Sequence, residues 1–315
     1  MGISAYLKEI GRGAQGARAL SREQAADLLG QLLDGQCSDL EVGAFCIAMR
    51  IKGETATEMA GFLDAIHSRM RRLPASDRPV VVLPSYNGAR KLPVLTPLLA
   101  WMLARKGLPV LIHGTPTENA RVTSEQVLAS AGLLPRPPDE LIECGRAHFV
   151  RTEDLLPGLK RLLDVRRAIG LRNPAHSLVK LMNPVDGPAL VVGNYTHPEY
   201  AESMASTFTL MGTHAMLLRG TEGEPVADPR RTPRMDVFLG GRAECVQEAQ
   251  PGTLASLPSL PLGIDAAITS EYTRMVMEGL VPVPAPLVQQ VDHIVRAVKT
   301  IEAENDPTSL QELMA

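Results

Sequence analysis

The stretch Met49-Arg50-Ile51-Lys52-Gly53-Glu54-Thr55 lies between two segments that are both typical of amphipathic helices. In the first segment, Ser38 is a favoured N-cap residue, and apolar residues from position 42 to position 49 recur at helical spacing. In the second, Thr55 can cap a helix whose apolar side runs from Met59 to Ile66. The sequence on the two sides of this stretch therefore predicts two consecutive helices.

A further helix is predicted on the N-terminal side. Ser21 is followed three positions later by Gln24, which is the spacing of a capping box. Apolar residues from Ala25 to Leu33 then recur at helical spacing, and Gly35 is a typical helix stop. Residues 1–72 thus predict a small helical bundle.

The pattern changes to strand–helix alternation after Pro74. Residues 80–83 form a short β-branched run typical of a buried parallel strand, and residues 108–113 form a second one. Helices are predicted at 95–106 and 124–131, and later at 155–169, 199–211, 266–278 and 286–304. Further strands are predicted at 190–193, 215–218 and 235–239. The chain is therefore predicted to be an α/β protein: a helical bundle plus a larger α/β part with a mostly parallel sheet.

Composition limits the classes of function. The 315 residues include 35 acidic and 32 basic ones, so the net charge is -3. This balance excludes a wholly basic nucleic-acid binder and leaves local basic patches.

The cysteines and the apolar runs indicate the cellular compartment in which the protein is expected. Cys37, Cys46, Cys144 and Cys245 form no CxxC pair and no zinc-type cluster. The N-terminus lacks the apolar core of a signal peptide, and no apolar run approaches the roughly 20 residues that span a bilayer. We therefore expect a cytoplasmic protein that does not contact membranes.

The motifs of the helical part resemble a known family. Leu32-Leu33-Asp34-Gly35-Gln36, Val42-Gly43-Ala44-Phe45 and residues 49–55 with Glu58 resemble the helical-domain signature of anthranilate phosphoribosyltransferase and of the pyrimidine nucleoside phosphorylases. The resemblance continues through residues 97–114 and 167–184. It implies a helical domain made of 1–74 with 160–186, and an α/β domain made of 75–159 with 187–315.

The catalytic motifs of that family are altered. Its Gly-Thr-Gly-Gly-Asp loop, whose glycines let backbone N–H groups approach pyrophosphate, corresponds here to Pro84-Ser85-Tyr86-Asn87-Gly88. Its Asn-x-Ser-Thr element corresponds to residues 93–96, and its Lys-His-Gly-Asn to residues 112–115. Its adjacent Asp-Glu metal ligands are replaced by Glu222 and Glu224, separated by a glycine. We therefore predict that the family's reaction is lost, with no catalytic residue and no cofactor.

Polar residues still cluster around two predicted strand ends, where open α/β sheets bind ligands. They are predicted to form a degenerate phosphate or ligand pocket made of Asn87, Gly88, Arg90, Lys91, Thr96, His113 and Thr123. In this pocket Arg90 and Lys91 can hold a phosphate by side-chain charge rather than by a glycine nest.

One branch of the family is especially similar. Residues 84–91, 95–101, 176–184 and 219–224 resemble the YbiB-type subfamily of TrpD-like proteins. This resemblance implies the anthranilate phosphoribosyltransferase fold and homodimers formed through the helical domain. It also implies sequence-independent binding of DNA or RNA in place of the enzyme activity.

A run of basic residues supports nucleic-acid binding independently. Between positions 160 and 180 the only acid is Asp164, and the basic residues are Lys160, Arg161, Arg166, Arg167, Arg172 and Lys180. A second basic group contains Arg69, Arg71, Arg72 and Arg78. Because only 3% of residues are aromatic, contact with the phosphate backbone and a steep salt dependence are expected rather than base stacking.

Two other hypotheses stay open. The first is a transferase that uses phosphoribosyl pyrophosphate with an altered acceptor, with Mg²⁺ on Glu222 or Glu224. The second is a small-molecule sensor that kept the pocket and lost turnover.

Overall fold

The computed structural model describes residues 2–118 and 120–305. The helices are α1 (Ser4–Ile10), α2 (Gly13–Gly16), α3 (Arg22–Leu33), α4 (Asp39–Lys52), α5 (Ala56–His67), α6 (Thr96–Arg105), α7 (Ser124–Ser130), α8 (Thr152–Leu155), α9 (Pro157–Ile169), α10 (Ala175–Leu178), α11 (Pro198–Met211), α12 (Ala266–Met277) and α13 (Ala285–Asn305). The strands are β1 (Val80–Pro84), β2 (Val110–Gly114), β3 (Ala147–Arg151), β4 (Ala189–Tyr195), β5 (Ala215–Arg219), β6 (Met235–Leu239) and β7 (Arg242–Gln247). No helix in the described residues is long and apolar enough to cross a membrane.

The predicted helix starts in the bundle are confirmed. Ser21, Ser38 and Thr55 each accept a hydrogen bond from the backbone N–H three residues on. The residue at that third position returns a side-chain bond to the cap, so all three starts are capping boxes. These contacts are local in sequence, which is why the sequence alone predicts them.

The stretch at 49–55 is mainly a packing motif. The Lys52 ammonium lies 2.6 Å from a Glu58 carboxylate that is fully buried. Glu58 also accepts from the backbone N–H of Leu20 at 2.9 Å, just before α3. Because a buried carboxylate requires such partners, this pair fixes α4, α5 and the start of α3 together.

The sheet has the strand order β3-β2-β1-β4-β5-β6-β7. Its first five strands are parallel, and β6 and β7 are antiparallel, so the predicted mostly parallel sheet is confirmed. Strands β3 and β7 were not predicted from the sequence. The second of these follows a two-residue hairpin turn in which Gly240 and Gly241 both have positive φ, and this glycine pair is a signal for a hairpin.

Helices cover both faces of the sheet, as parallel strands require. On β1, Val80 and Val82 belong to a core shared with the helical bundle and α11. Val81 and Leu83 belong to a second core with α6, α12 and α13. The carboxyl ends of the central strands therefore lie near the joint between α4 and α5, and this arrangement creates the cleft described below.

The domain boundaries remain a prediction. Helix α9 packs on α3 and α10 packs on α5, in keeping with a return of the chain to the bundle. Residue 160 falls inside α9, which begins at Pro157. Met1, Asn119 and residues 306–315, which the predicted domains include, lie outside the described residues.

Candidate functional site

The loop that follows β1 is bound by a carboxylate of the protein itself. One oxygen of Glu224 accepts from the backbone N–H groups of Asn87 at 2.8 Å and Gly88 at 2.7 Å. The other accepts from the hydroxyl of Thr96 at 2.9 Å and from that of Ser85. Glu224 is only 1% exposed. The backbone donors at the position of the family's pyrophosphate loop are therefore already occupied by an internal anion.

A second carboxylate repeats this arrangement nearer the surface. Glu222 accepts from the backbone N–H of Arg90 at 2.6 Å and of Lys91 at 2.9 Å. Among the described residues, Glu222 is the one non-glycine residue with a positive φ, at 53°. Asn87 supports this geometry by donating to the Glu222 carbonyl at 3.1 Å.

The two glutamates do not fit a magnesium site. Their oxygens already accept hydrogen bonds from backbone N–H and hydroxyl groups, which point toward them where a cation would have to bind. The described residues contain no group of three or more His, Cys, Asp or Glu side chains that could hold a metal. Magnesium on Glu222 or Glu224 therefore has no support in the donor set.

The members of the predicted pocket divide between structural and cavity positions. His113 is fully buried and its Nδ1 lies 2.8 Å from the Tyr86 hydroxyl, while burial lowers its pKa to about 3. Thr123 caps α7. Thr96 and Gly88 bind Glu224, as described above. Of the seven predicted residues, Asn87, Arg90 and Lys91 line cavities, and the side chains of Arg90 and Lys91 are exposed.

A first cavity of about 650 Å³ lies between the helical bundle and the carboxyl ends of the strands. Lys180 lies in its wall, 6% exposed, and donates to the Asn194 side-chain oxygen at 2.9 Å. Burial, reinforced by the charge of Arg172, lowers the Lys180 pKa to about 8. The Asn194 Nδ2 and the His176 Nε2 are buried in the same wall and have no hydrogen-bond partner among the described residues. This wall therefore contains polar groups that can still form hydrogen bonds with a ligand.

Three arginines meet at one carboxylate beside this cavity. Glu118 lies 2.5 Å from Arg166, 3.0 Å from Arg121 and 3.8 Å from Arg172. Burial opposes ionisation of Glu118, but the hydrogen bond from Arg166 and the charges of Arg121 and Arg166 lower its pKa overall. Arg172 also donates to the Asn87 side chain at 3.3 Å. With three arginines around one glutamate, the cluster has a net charge of +2.

The predicted basic run from Lys160 to Lys180 does not lie on one surface. Lys160 and Arg167 share Asp164 on α9, and Arg161 donates to the Leu33 carbonyl at 2.8 Å. Arg166 and Arg172 are at the Glu118 cluster, whereas Lys180 lies inside the cavity. In the second basic group, Arg69, Arg72 and Arg78 form ion pairs with Asp34, Asp186 and Glu302.

A second cavity of about 650 Å³ adjoins the first, because both are lined by Tyr195, Thr196 and Glu222. Its basic lining residues are Lys91, Arg219, Arg230, Arg231 and Arg234. The sequence analysis missed this group, although Arg230-Arg231 and Arg234 were a visible basic cluster. Glu118, Arg121 and Asn194 were not predicted either. Glu118 and Arg121 are three residues apart, but Arg166 and Arg172, which complete their cluster, are distant along the chain. The partner of Asn194 is Lys180, which precedes β4.

This architecture, a helical bundle joined to a mostly parallel sheet with a cleft between them, is the anthranilate phosphoribosyltransferase fold. The structure of that enzyme from Thermus thermophilus superposes with a TM-score of 0.72 and 22% identity, over 95% of this chain and 89% of that one. The Saccharomyces cerevisiae enzyme in complex with PRPP and Mg superposes with a TM-score of 0.65 and 16% identity, over 98% and 96%. Residues 4–70 match the helical bundle domain of the glycosyl transferase family.

Sequence similarity identifies the branch. The chain is 36% identical over 288 residues to the uncharacterized protein YbiB of Escherichia coli (strain K12), with 89% of each chain covered. It is 27% identical over 266 residues to anthranilate phosphoribosyltransferase of Saccharopolyspora erythraea, covering 82% of this chain and 76% of that protein. The chain belongs to the YbiB-type family of TrpD-like proteins.

Proposed function

We propose that this protein binds the phosphate backbone of DNA or RNA without sequence preference, and that the two adjoining cavities are the binding cleft. The observation that carries the proposal is the charge of the cleft. Its basic lining residues are Arg50, Arg90, Lys91, Arg121, Arg172, Lys180, Arg219, Arg230, Arg231 and Arg234, and its acidic ones are Glu54, Glu199, Glu222 and Asp228. Ten basic residues thus face four acidic ones in a chain whose net charge is -3.

This distribution of charge suits phosphate contacts rather than base reading. Lysine and arginine side chains that neutralise phosphates release counterions, and this release gives affinity without sequence information. The outer face of α9 contributes less in this proposal, because Asp164 lies 3.4 Å from Arg167 and also pairs with Lys160. Lys180 is 6% exposed, so in this proposal it adds to the charge of the cleft wall and does not contact phosphates directly.

The structure disfavours the alternative, a transferase using phosphoribosyl pyrophosphate. Such an enzyme needs free backbone donors for pyrophosphate and carboxylates free for magnesium. Here the carboxylates of Glu224 and Glu222 already accept from the backbone donors. The donors are therefore not free for pyrophosphate, and the carboxylates are not free for magnesium. Calorimetry with millimolar phosphoribosyl pyrophosphate tests the alternative, and a saturable heat that requires magnesium would support it over nucleic-acid binding.

We further propose that the protein is a homodimer formed through the helical bundle and acts in the cytoplasm. On α4, Leu40, Ile47 and Ile51 are 83%, 39% and 59% exposed. Their spacing of seven and four residues places them along one side of the helix, where a second copy can cover them. Replacing Ile51 with Asp should convert a dimer to a monomer in light scattering. Four free cysteines agree with a reducing compartment.

Fluorescence anisotropy with single- and double-stranded oligonucleotides at several salt concentrations tests the nucleic-acid proposal. The cleft variant replaces Arg121 and Arg172 with Ala, and the matched control replaces Lys160 and Arg167 with Ala. We expect the cleft variant to weaken binding equally for all sequences and to reduce the salt slope by about 1 for each phosphate that the cleft no longer neutralises. Equal losses in both variants would place binding elsewhere, and no binding of the unmodified protein at low salt would refute the proposal.

A further inference from the structure

The inner and outer glutamates differ in how easily they can leave their amides. Glu224 is 1% exposed and its carboxylate satisfies two backbone N–H groups and two hydroxyls in the interior. Glu222 is only partly buried, and its two short backbone contacts are to exposed residues, Arg90 and Lys91, with a longer one of 3.5 Å to the partly buried Leu92. Water can replace its contacts, so removing Glu222 costs far less than removing Glu224.

Several features make the Glu222 position suitable for an external anion. Two consecutive backbone N–H groups converge on one carboxylate, with Arg90 N 2.6 Å and Lys91 N 2.9 Å from its oxygens. The exposed cationic side chains of the same two residues lie in the linings of the first and second cavity respectively. The charge of Arg230, in the second cavity, also interacts with Glu222. Consecutive N–H groups with cationic neighbours are a general anion-binding arrangement.

Glu222 also carries backbone strain. Its φ of 53° is in the left-handed region, which is unfavourable for a residue that has a Cβ. Its neighbour Gly223 has a φ of 88° and lies so close to the Asn87 side chain that a Cβ there would be 1.7 Å from its nitrogen. The left-handed turn therefore carries the carboxylate to the amides.

We propose that the backbone N–H groups of Arg90 and Lys91 form a phosphate-binding site whose resident occupant is the exchangeable carboxylate of Glu222. A phosphate group displaces Glu222 and takes its place between the two cavities. Because Glu222 lines both cavities, its displacement also removes the acidic residue they share. The phosphate belongs either to a free anion or to a nucleic-acid backbone.

The first test compares pyrophosphate binding to the unmodified protein, to Glu222→Ala and to Glu199→Ala by calorimetry. Glu199 is an exposed carboxylate that lines the first cavity, so its variant removes the same charge away from the two amides. We expect Glu222→Ala to bind pyrophosphate about tenfold more tightly than the unmodified protein, because an internal competitor lowers apparent affinity by the fraction of sites it closes. Glu199→Ala should differ from the unmodified protein by less than about twofold.

The amide signals of Arg90 and Lys91 in ¹⁵N spectra give a second readout. Pyrophosphate should shift both signals in Glu222→Ala at low concentration and in the unmodified protein only at high concentration. Equal affinities of the two glutamate variants, or unshifted amides at saturation, would overturn the proposal. If Glu222→Ala does not fold, Glu222→Gly, which adopts the positive φ freely, replaces it with the same two criteria.

Competition with an oligonucleotide separates the two sources of phosphate. If a nucleic-acid backbone uses the site, pyrophosphate displaces the oligonucleotide from Glu222→Ala, and both results support the site and the proposed function. If the site takes only free anions, pyrophosphate binds Glu222→Ala without displacing the oligonucleotide. An unmodified protein that binds no oligonucleotide would refute the proposed function while the pyrophosphate result still decides the site.

Discussion

Two walls of the same cleft treat polar groups in opposite ways. In the wall made by loop 85–92 and segment 220–224, two carboxylates accept hydrogen bonds from four backbone N–H groups, those of Asn87, Gly88, Arg90 and Lys91. In the facing wall, Lys180 has one uncharged partner, and Asn194 Nδ2 and His176 Nε2 have none among the described residues. In the first wall, called the closed wall below, the backbone donors are occupied by carboxylates of the chain. The facing wall has a buried lysine and polar side-chain nitrogens that are free to bind a ligand.

Under the proposed function, this difference separates the protein from a transferase built on the same scaffold, which needs free backbone donors for pyrophosphate. An anion-binding loop stops receiving pyrophosphate when a carboxylate of the chain fills it, and the rest of the fold is unaffected. The cationic wall then determines what the cleft attracts. Two properties of these walls are testable: whether Glu224 holds the first wall together, and whether burying the charge of Lys180 in the facing wall lowers the stability of the protein.

The largest effect is expected for Glu224→Ala. The substitution leaves the backbone N–H groups of Asn87 and Gly88 and the Thr96 hydroxyl without their acceptor in the protein interior, whereas the Ser85 hydroxyl can still donate to Ser124 Oγ. Each unsatisfied buried group costs about 1–3 kcal/mol, so we expect a loss of about 3 kcal/mol or more in the free energy of unfolding. Urea denaturation measures it, with Glu199→Ala as the control that should change by less than about 0.5 kcal/mol. A small loss of stability for Glu224→Ala would mean that water replaces the carboxylate as the hydrogen-bond acceptor of these groups.

A pH-dependent effect of up to about 3 kcal/mol is expected from Lys180. Its folded-state pKa of about 8 is below the ordinary value of 10.5, so between those two pH values the unfolded chain binds a proton that the folded chain does not. The stability of the unmodified protein should therefore rise, relative to Lys180→Met, as pH increases from 8 to 10.5.

Denaturation of both proteins at several pH values measures the Lys180 effect. Lys160→Met serves as the control, because Lys160 pairs with Asp164 on α9 rather than lying in the cavity wall. Parallel pH profiles for Lys180→Met and the unmodified protein would show that the lysine is hydrated, and the contrast between the two walls would fail.

The smallest effect is expected for Glu222→Ala. The N–H groups of Arg90 and Lys91 can turn to water, so the loss of stability should be about 1 kcal/mol or less. The same denaturation series measures it beside Glu224→Ala. A loss as large as that of Glu224→Ala would make both glutamates permanent parts of the closed wall and would contradict an exchangeable Glu222.

The fold was largely predictable because its signals are local. Capping boxes at Ser21, Ser38 and Thr55 depend on residues three apart, and the buried strand β1 is a continuous apolar run. Strand β7 was missed because an edge strand needs little apolar character, and its residues 242–244 are exposed. The candidate site was only partly predictable, since Asn87, Arg90 and Lys91 reach the cavities whereas His113 and Thr123 stabilise the fold.

The sequence by itself determined the helical bundle, the parallel sheet, the family, and the replacement of the pyrophosphate loop. It could not show what fills that loop, because Glu224 is 137 residues from Asn87 and only the tertiary structure brings them together. It also could not show that the run from Lys160 to Lys180 divides among a helix face, an arginine cluster and a cavity wall. Charge along a chain is a property of sequence, but the partner and the burial of each charge depend on the fold, and those two decide what the charge can bind.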